Sequence, residues 1–223
     1  MEIRFAGRMS GVDDSAVREI LALTASHDII SFSGGNPPEE AFPVREIAAL
    51  AAEGLAQHPA DVLQYGATAG YAPLLDALST RMAARFGARL AAENTVFTTT
   101  GSQQAADLLA HVLLNEGDVA LVEEPSFVGY LNSFRAYGAR LVGIPMEPDG
   151  MDVEALAAAL RAEPRAKLLY MISNFQNPTG FTTSAEKRAA IYRLAQAHDL
   201  VILEDDAYGE LRFSGAPVPP VKQ

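Results

Sequence analysis

Several residue types that usually carry chemistry are absent or scarce in this sequence. Its 223 residues include no cysteine, only three lysines and four histidines. The absence of cysteine excludes disulfides, thiolate zinc sites, iron–sulfur clusters and a thiol nucleophile. No apolar run reaches the roughly 18 residues of a membrane-spanning helix. Glu2, Arg4 and Arg8 make the start unlike a signal peptide, so we expect a cytoplasmic protein with no membrane partner.

The charge balance disfavours nucleic acid as a partner. Lys and Arg number 17 against 28 Asp and Glu, which gives a formal net charge of −11. A protein that binds a phosphate backbone needs a basic face. The chain is 49% apolar and 20% charged, which is typical of a globular protein with a buried core.

From residue 95 onward, short apolar runs alternate with amphipathic segments. The runs predict strands at 95–99, 119–122, 141–144, 168–172 and 200–203. The segments predict helices at 103–114, 128–137, 153–161 and 185–197, and others precede them at 17–25, 44–55 and 73–86. Continuously apolar strands are buried on both faces, which indicates an α/β fold with a largely parallel sheet. Ligands of such sheets bind beyond the carboxyl ends of the strands.

Polar and aromatic residues follow these predicted strand ends. Ser102 and Gln103 begin a helix, where free N–H groups and the helix dipole suit a phosphate, although an ordinary N-cap explains them equally well. Phe127 could stack on a flat ligand, but a single aromatic is more often part of a core. Asn177 precedes a proline, which favours an extended backbone. The glycine-rich motifs of triphosphate and dinucleotide sites are absent.

Three consecutive acids, Glu204, Asp205 and Asp206, end the last predicted strand. Burying them is costly unless they are solvated, bound to a metal or paired with a cation. The four histidines are scattered without ligand spacing, which disfavours a metal site. We therefore predict a cationic partner for one of these acids.

Four motifs occur in a fixed order along the chain. They are Tyr65-Gly66 with Gly70, Gly101-Ser102-Gln103-Gln104, Asn177-Pro178-Thr179-Gly180 and Asp205-Asp206-Ala207-Tyr208. In this order they resemble the class I/II aminotransferases, the fold-type I enzymes that depend on pyridoxal 5′-phosphate (PLP). The segment 33–37, Ser-Gly-Gly-Asn-Pro, is similar to the aminoadipate/kynurenine subgroup. The resemblance implies a three-layer α/β/α fold that is incomplete at its C-terminus.

The resemblance implies cofactor contacts for the matching residues. Ser102 and Gln103 would hold the PLP phosphate, and Phe127 would stack on the pyridine ring. Asn177 and Tyr208 would hydrogen-bond the phenolic oxygen of that ring. The cofactor-binding part of the family's site is thus expected in this chain.

Three further roles follow from the same resemblance. Asp205 would pair with the pyridine nitrogen, and a carboxylate there keeps the ring protonated as an electron sink. Tyr65 would reach the phosphate of the neighbouring subunit in a homodimer. Gly35 would lie beside the substrate.

The family's Schiff-base lysine has no counterpart in this sequence. Lys167, Lys187 and Lys222 are the lysines, and none stands in the family's Ser-x-Ser-Lys context. That lysine binds the cofactor aldehyde and moves the substrate proton. The family's phosphate-binding and substrate-binding arginines beyond it are also missing. We expect the N-terminal part of an aminotransferase, with no catalytic residue of its own.

The resemblance also predicts the domain organisation. Residues 1–45 would form an N-terminal arm and small-domain segment, residues 46–223 a partial large PLP-binding domain, and the proline-rich residues 214–223 a connector. The family's last two strands would lie between the strands at 95–99 and 200–203. Without them the strand at 95–99 exposes unpaired backbone groups, so we expect marginal stability and association.

The predicted function is amino-group transfer between an amino acid and a 2-oxo acid, within amino acid metabolism or biosynthesis. Aminoadipate, aromatic, branched-chain and kynurenine-like donors remain open. One alternative is the effector domain of a transcription regulator, which the lack of a winged-helix segment before the arm disfavours. Another is a non-catalytic PLP-binding protein. An in-frame Ser-x-Ser-Lys codon series downstream would separate a fragment from such a protein.

Overall fold

The computed structural model describes residues 4, 6–11, 35, 37–87, 89 and 92–222. The chain divides into two compact units, which are described separately. The larger unit comprises residues 1–13, 82–94 and 99–223, and the smaller unit comprises residues 14–81 and 95–98. The helix predicted at 17–25 lies outside the described residues, as do residues 33, 34 and 36 of the Ser-Gly-Gly-Asn-Pro segment.

The larger unit contains a five-stranded sheet. Its strands are β1 (Val119–Glu124), β2 (Arg140–Glu147), β3 (Gly150–Met151), β4 (Ala166–Ile172) and β5 (Val201–Asp205). Their order is β3-β2-β1-β4-β5, and all neighbours are parallel except the short edge strand β3. The predicted parallel sheet is confirmed, whereas β3 had no sequence signal.

Helices flank this sheet, and others lie in the smaller unit. Those described are α1 (Val44–Gln57), α2 (Pro59–Leu63), α3 (Ala72–Phe86), α4 (Gly101–Leu113), α5 (Val128–Ala136), α6 (Val153–Ala162) and α7 (Ala185–Ala197). Short 3-10 turns lie at Gly7–Gly11 and Glu39–Ala41. Side chains cap two of the helices. Asp152 accepts from the first-turn N–H groups of α6, and Ser184 accepts from Lys187 N at the start of α7.

Alternating strand residues divide the core between the two faces of the sheet. Leu121 and Leu169 pack with α6 and α7 on one face, whereas Val122 and Tyr170 pack with α4 and α5 on the other. This alternation follows from the two-residue period of a strand. The larger unit is therefore the three-layer α/β/α arrangement that was predicted.

The strand predicted at 95–99 is wrong. These residues have no regular secondary structure and pair with no strand in the described part of the chain. Thr98 N donates instead to Ala69 O at 2.8 Å. An apolar run forms a strand only when another strand satisfies its backbone groups, and the run itself cannot supply that partner.

The smaller unit lacks buried residues among those described. Along α1, Val44, Ile47 and Leu50 are 65%, 59% and 67% exposed. Large apolar side chains normally leave water on folding, so this exposed surface weakens the unit. No helix in the described ranges is long and apolar enough to cross a membrane.

The proline-rich segment predicted as a connector packs onto β5 and α7 within the larger unit. Val221 is 7% exposed and joins the core beside α7. Its N–H donates to Glu204 Oε2 at 2.9 Å, while Arg188 donates to Pro219 O at 2.9 Å. The segment is thus fixed to β5 and α7.

Candidate active site

The carboxyl ends of β1, β4 and β5 bring most predicted site residues into one region of the larger unit. Asp205 ends β5, Asn177 follows β4 and Phe127 follows β1, while Ser102 and Gln103 begin α4. This arrangement is expected for a parallel sheet, whose ligand-binding loops gather at one edge.

No side chain caps the first turn of α4. Thr100 occupies the N-cap position without a side-chain hydrogen bond to the helix, and its own N–H donates to Gln104 Oε1 at 2.6 Å. The alternative of an ordinary N-cap is therefore wrong for Ser102. The uncapped N–H groups and the helix dipole suit an anion.

The side chain of Gln103 links α4 to α5. Its Nε2 donates to Gly129 O at 3.0 Å and to Ser133 Oγ at 2.7 Å. A Cβ on Gly129 would lie 2.6 Å from the Phe127 ring and 2.8 Å from Gln103 Oε1, so the helices approach closely because this residue is glycine. Gln103 can therefore offer its backbone N–H to a phosphate, but not its side chain.

Two tyrosines that the sequence analysis missed hold Asp205. Tyr170 donates to Asp205 Oδ2 at 3.3 Å. The Tyr130 hydroxyl lies near both Ser102 and Asp205, which places it between the start of α4 and the end of β5. Both tyrosines lie in apolar runs and resemble core residues in the sequence. The only signal was that a buried phenol needs a hydrogen-bonding partner.

Cations accompany the two outer acids at the end of β5. Asp206 pairs with Arg85 at 2.7 Å, and Glu204 lies 3.5 Å from the guanidinium of Arg188. Asp205 makes no ion pair with any residue in the described ranges. The predicted cation is thus present for Glu204 and Asp206 but not for Asp205.

The carboxyl group of Asp205 is destabilised as an anion. Burial raises its pKa, and the charge of Asp206 raises it further, against hydrogen bonds from Tyr170, Ala207 N and Tyr130 that lower it. A cationic ring nitrogen would relieve this penalty, because an opposite charge stabilises a carboxylate in a low-dielectric site. The residues present therefore fit a protonated pyridine at this position.

Asn177 and Tyr208 lie side by side. Asn177 Nδ2 is 3.4 Å from the Tyr208 hydroxyl, and both line an open, largely apolar cavity of about 440 Å³. The remaining lining residues include Phe175, Pro178 and Leu211. The structure thus joins the two predicted partners of one ligand oxygen.

All three lysines are engaged elsewhere. Lys167 pairs with Asp118 at 2.6 Å, before β1, and Lys222 donates to Asn94. Lys187 pairs with Asp149 and Glu147. Burial lowers the pKa of Lys187, but these acids raise it above its ordinary value. A Schiff-base lysine must become a neutral amine, so Lys187 is unsuited to that role.

Tyr65 and Gly35 belong to the smaller unit. Tyr65 is 100% exposed, and Gly35 is also exposed. Their roles at a subunit interface and beside the substrate stay predictions.

Comparison with known proteins decides the family. Residues 27–221 match the profile of the family described as aminotransferase class I and II. The chain belongs to this family. Aromatic-amino-acid aminotransferase 1 of Thermococcus litoralis is 40% identical over 222 residues, which cover 98% of this chain and 53% of that protein. This aminotransferase chain spans about half the length of the curated relatives it matches.

Solved aminotransferases share the fold. The kynurenine aminotransferase of Pyrococcus horikoshii, in complex with PMP, has a TM-score of 0.88 at 36% identity, over 98% of this chain and 55% of that one. The α-aminoadipate aminotransferase of Thermus thermophilus, complexed with N-(5′-phosphopyridoxyl)-L-leucine, has a TM-score of 0.83 at 37% identity, over 98% and 53%. The predicted family and fold-type I architecture are confirmed.

Proposed function

We propose that this chain supplies the PLP-binding residues of an aminotransferase, which transfers an amino group between an amino acid and a 2-oxo acid. The observation that carries the proposal is the half-buried carboxylate of Asp205, which accepts a hydrogen bond from Tyr170, lies near Tyr130 and has no cationic partner among the described residues. The relatives solved with PMP and with a phosphopyridoxyl amino acid support the same cofactor.

Each residue of the proposed site has one task. The first-turn N–H groups of α4, at Ser102 and Gln103, bind the phosphate, and Phe127 covers one face of the ring. Asn177 and Tyr208 donate to the phenolic oxygen.

Asp205 holds a proton on the ring nitrogen. When bound, the protonated ring acts as an electron sink for the substrate Cα. The residues of this chain therefore bind and orient the cofactor and set its charge. None of them moves the substrate proton.

Several finer features complete the proposal. Tyr65 binds the phosphate of a neighbouring subunit in a homodimer, and Gly35 lies beside the substrate. Residues 1–45 serve as arm and small-domain segment, and residues 46–223 as the partial cofactor domain. The protein acts in the cytoplasm in amino acid metabolism or biosynthesis, where free amino acids and 2-oxo acids are available. The similarity to aromatic-amino-acid, kynurenine and α-aminoadipate aminotransferases supports a donor of one of these classes.

The test is a titration of the purified chain with PLP, followed by absorbance and by equilibrium dialysis. We expect saturable binding of one PLP per chain, with competition from inorganic phosphate. Failure to bind PLP saturably would contradict the proposed function.

The chain itself is expected to show no transaminase turnover, because its three lysines are engaged in other contacts. The measurement is amino-group transfer to 2-oxoglutarate from a panel of amino acids. Turnover that disappears in a Lys167→Ala, Lys187→Ala or Lys222→Ala variant would show that one of them acts as the base.

A further inference from the structure

Gln176 is a buried residue whose side chain organises the turn carrying Asn177. It is 1% exposed, and its Oε1 accepts from both the N–H and the Oγ1 of Thr179, at 2.9 and 2.7 Å. Its backbone N–H donates to Phe181 O at 2.7 Å, and its carbonyl accepts from Gly180 N at 2.6 Å. The position of this turn therefore depends on how Gln176 is held.

The amide nitrogen of Gln176 is held by β1 and the residues that follow it. Nε2 donates to Pro125 O at 2.7 Å and to Glu123 Oε2 at 3.1 Å. Glu123 Oε2 also accepts from Ile172 N, the last residue of β4, at 3.0 Å. One carboxyl oxygen thus joins the end of β4 to the turn.

Glu123 is 1% exposed and has no cationic partner among the described residues. Its second oxygen, Oε1, is buried without a hydrogen bond in the part of the chain that the structure describes. Burial raises the pKa of Glu123 to about 7, and the nearby Asp205 adds to that effect against the hydrogen bonds from Ile172 N and Gln176. A neutral carboxyl group satisfies this environment better than an anion.

We propose that Glu123 is a positioning residue for the Asn177–Tyr208 pair, acting through Gln176. The inference rests on the proposed function, because this pair matters when a ligand carries a phenolic oxygen. The hydrogen-bond donors to Glu123 are Ile172 N and Gln176 Nε2, and neither belongs to the pair. Its loss leaves Gln176 Nε2 with Pro125 O alone and leaves Ile172 N without its acceptor. Unsatisfied buried groups drive a local shift, and a shift of the turn displaces the Asn177 amide.

Three variants test this linkage. Glu123→Leu keeps the volume but removes both hydrogen bonds, whereas Glu123→Gln keeps a carbonyl oxygen that accepts from Ile172 N and Gln176. Glu124→Leu is the matched control, because Glu124 is the neighbouring acid at the exposed end of β1.

The first readout compares PLP with its analogue that lacks the 3-hydroxyl group. We expect Glu123→Leu to weaken PLP binding at least tenfold and binding of the analogue less than threefold, since the analogue has no oxygen for Asn177 and Tyr208. Glu123→Gln and Glu124→Leu should stay within threefold of wild type for both ligands. Equal losses for both ligands in Glu123→Leu would overturn the proposal.

The second readout needs no cofactor. Hydrogen exchange of the Thr179 amide, which is bonded to Gln176 Oε1, should be at least tenfold faster in Glu123→Leu and unchanged in Glu123→Gln. If Glu123→Leu does not fold, Glu123→Asp replaces it as the test. The shorter side chain moves the acceptor oxygen back by one methylene group and should accelerate hydrogen exchange of the Thr179 amide. Unchanged exchange in a folded variant would overturn the inference. If the wild-type chain binds neither ligand but the variants show this exchange pattern, the proposed function alone is contradicted.

Discussion

The guanidinium of Arg85 lies 2.7 Å from the Asp206 carboxylate, while the preceding residue, Asp205, has no ion pair within the described ranges. Asn174 Nδ2 also donates to Asp206, at 2.6 Å. Two adjacent acids therefore differ in role. Asp206 is satisfied within the protein, whereas Asp205 is the acid to which we assign the ligand.

This difference predicts losses of different kinds for two matched substitutions. Asp205→Asn should weaken PLP binding about 10- to 100-fold, because it removes one charge-assisted hydrogen bond to the ring nitrogen. Asp206→Asn should change PLP affinity less than threefold while lowering the free energy of unfolding by about 1 kcal/mol. In a longer, active form, Asp205→Ala should remove most activity and Asp206→Ala less. A larger loss of PLP affinity from Asp206 would contradict the assignment.

Arg188 is predicted to be essential for stability. It is 3% exposed, and its guanidinium donates to Thr183 O, Ser173 O and Pro219 O at 2.6 to 2.9 Å. Arg188→Met should lower the free energy of unfolding by about 3–5 kcal/mol, because it leaves buried acceptors and Glu204 without a cation. Urea denaturation measures this loss. The control, Arg193→Met on the exposed face of α7, should change stability by less than about 0.5 kcal/mol.

The buried carboxyl group of Glu123 predicts a pH dependence of stability. Its pKa is raised from 4.5 to about 7, so the unfolded chain releases this proton at lower pH than the folded chain. The folded state therefore loses stability as pH rises from about 4.5 to 7. Glu123→Gln cannot titrate at this position. Its free energy of unfolding, relative to that of wild type, should therefore rise by roughly 1–3 kcal/mol between pH 5 and pH 8.

Urea denaturation of both proteins at the two pH values provides the measurement. Glu204 and Asp205 also have raised pKa values, but they are common to both proteins. An equal difference at pH 5 and pH 8 would show that Glu123 does not titrate in this range.

The exposed apolar face of α1 predicts association and early proteolysis. Val44, Ile47 and Leu50 remain more than half exposed, and the described residues of the smaller unit form no buried core. Sedimentation should show self-association that decreases when all three become lysine or glutamate. Limited proteolysis should cleave within residues 37–81 before it cleaves the sheet. A monodisperse wild-type monomer with a sharp, reversible unfolding transition would contradict the expected marginal stability.

The sequence predicted the sheet and its helices where local composition reports burial. The runs at 119–122 and 168–172 are apolar because both faces of β1 and β4 are covered, and such runs differ visibly from surface helices. The run at 95–99 has similar composition but no strand partner among the described residues. The composition of a segment indicates that it prefers burial. It does not indicate whether another part of the chain supplies a partner strand.

The candidate site divides in the same way. The ordered motifs around Ser102, Asn177 and Asp205 were sufficient to identify the family, since each combines residue types whose chemistry serves one cofactor. The sequence could not reveal that Tyr130 and Tyr170 hold Asp205, or that Glu123 supports Gln176. Those contacts join residues far apart in the chain that look like ordinary core positions.

The sequence alone determined the family, the alternation of strands and helices, and the lack of a lysine in the family's catalytic context. Only the tertiary structure decided which of three adjacent acids has no cationic partner among the described residues, because Arg85 and Arg188 reach Asp206 and Glu204 from separate helices. Motifs and periodicity are local properties of a chain. Charge pairing and burial depend on distances in space, and folding alone sets those distances.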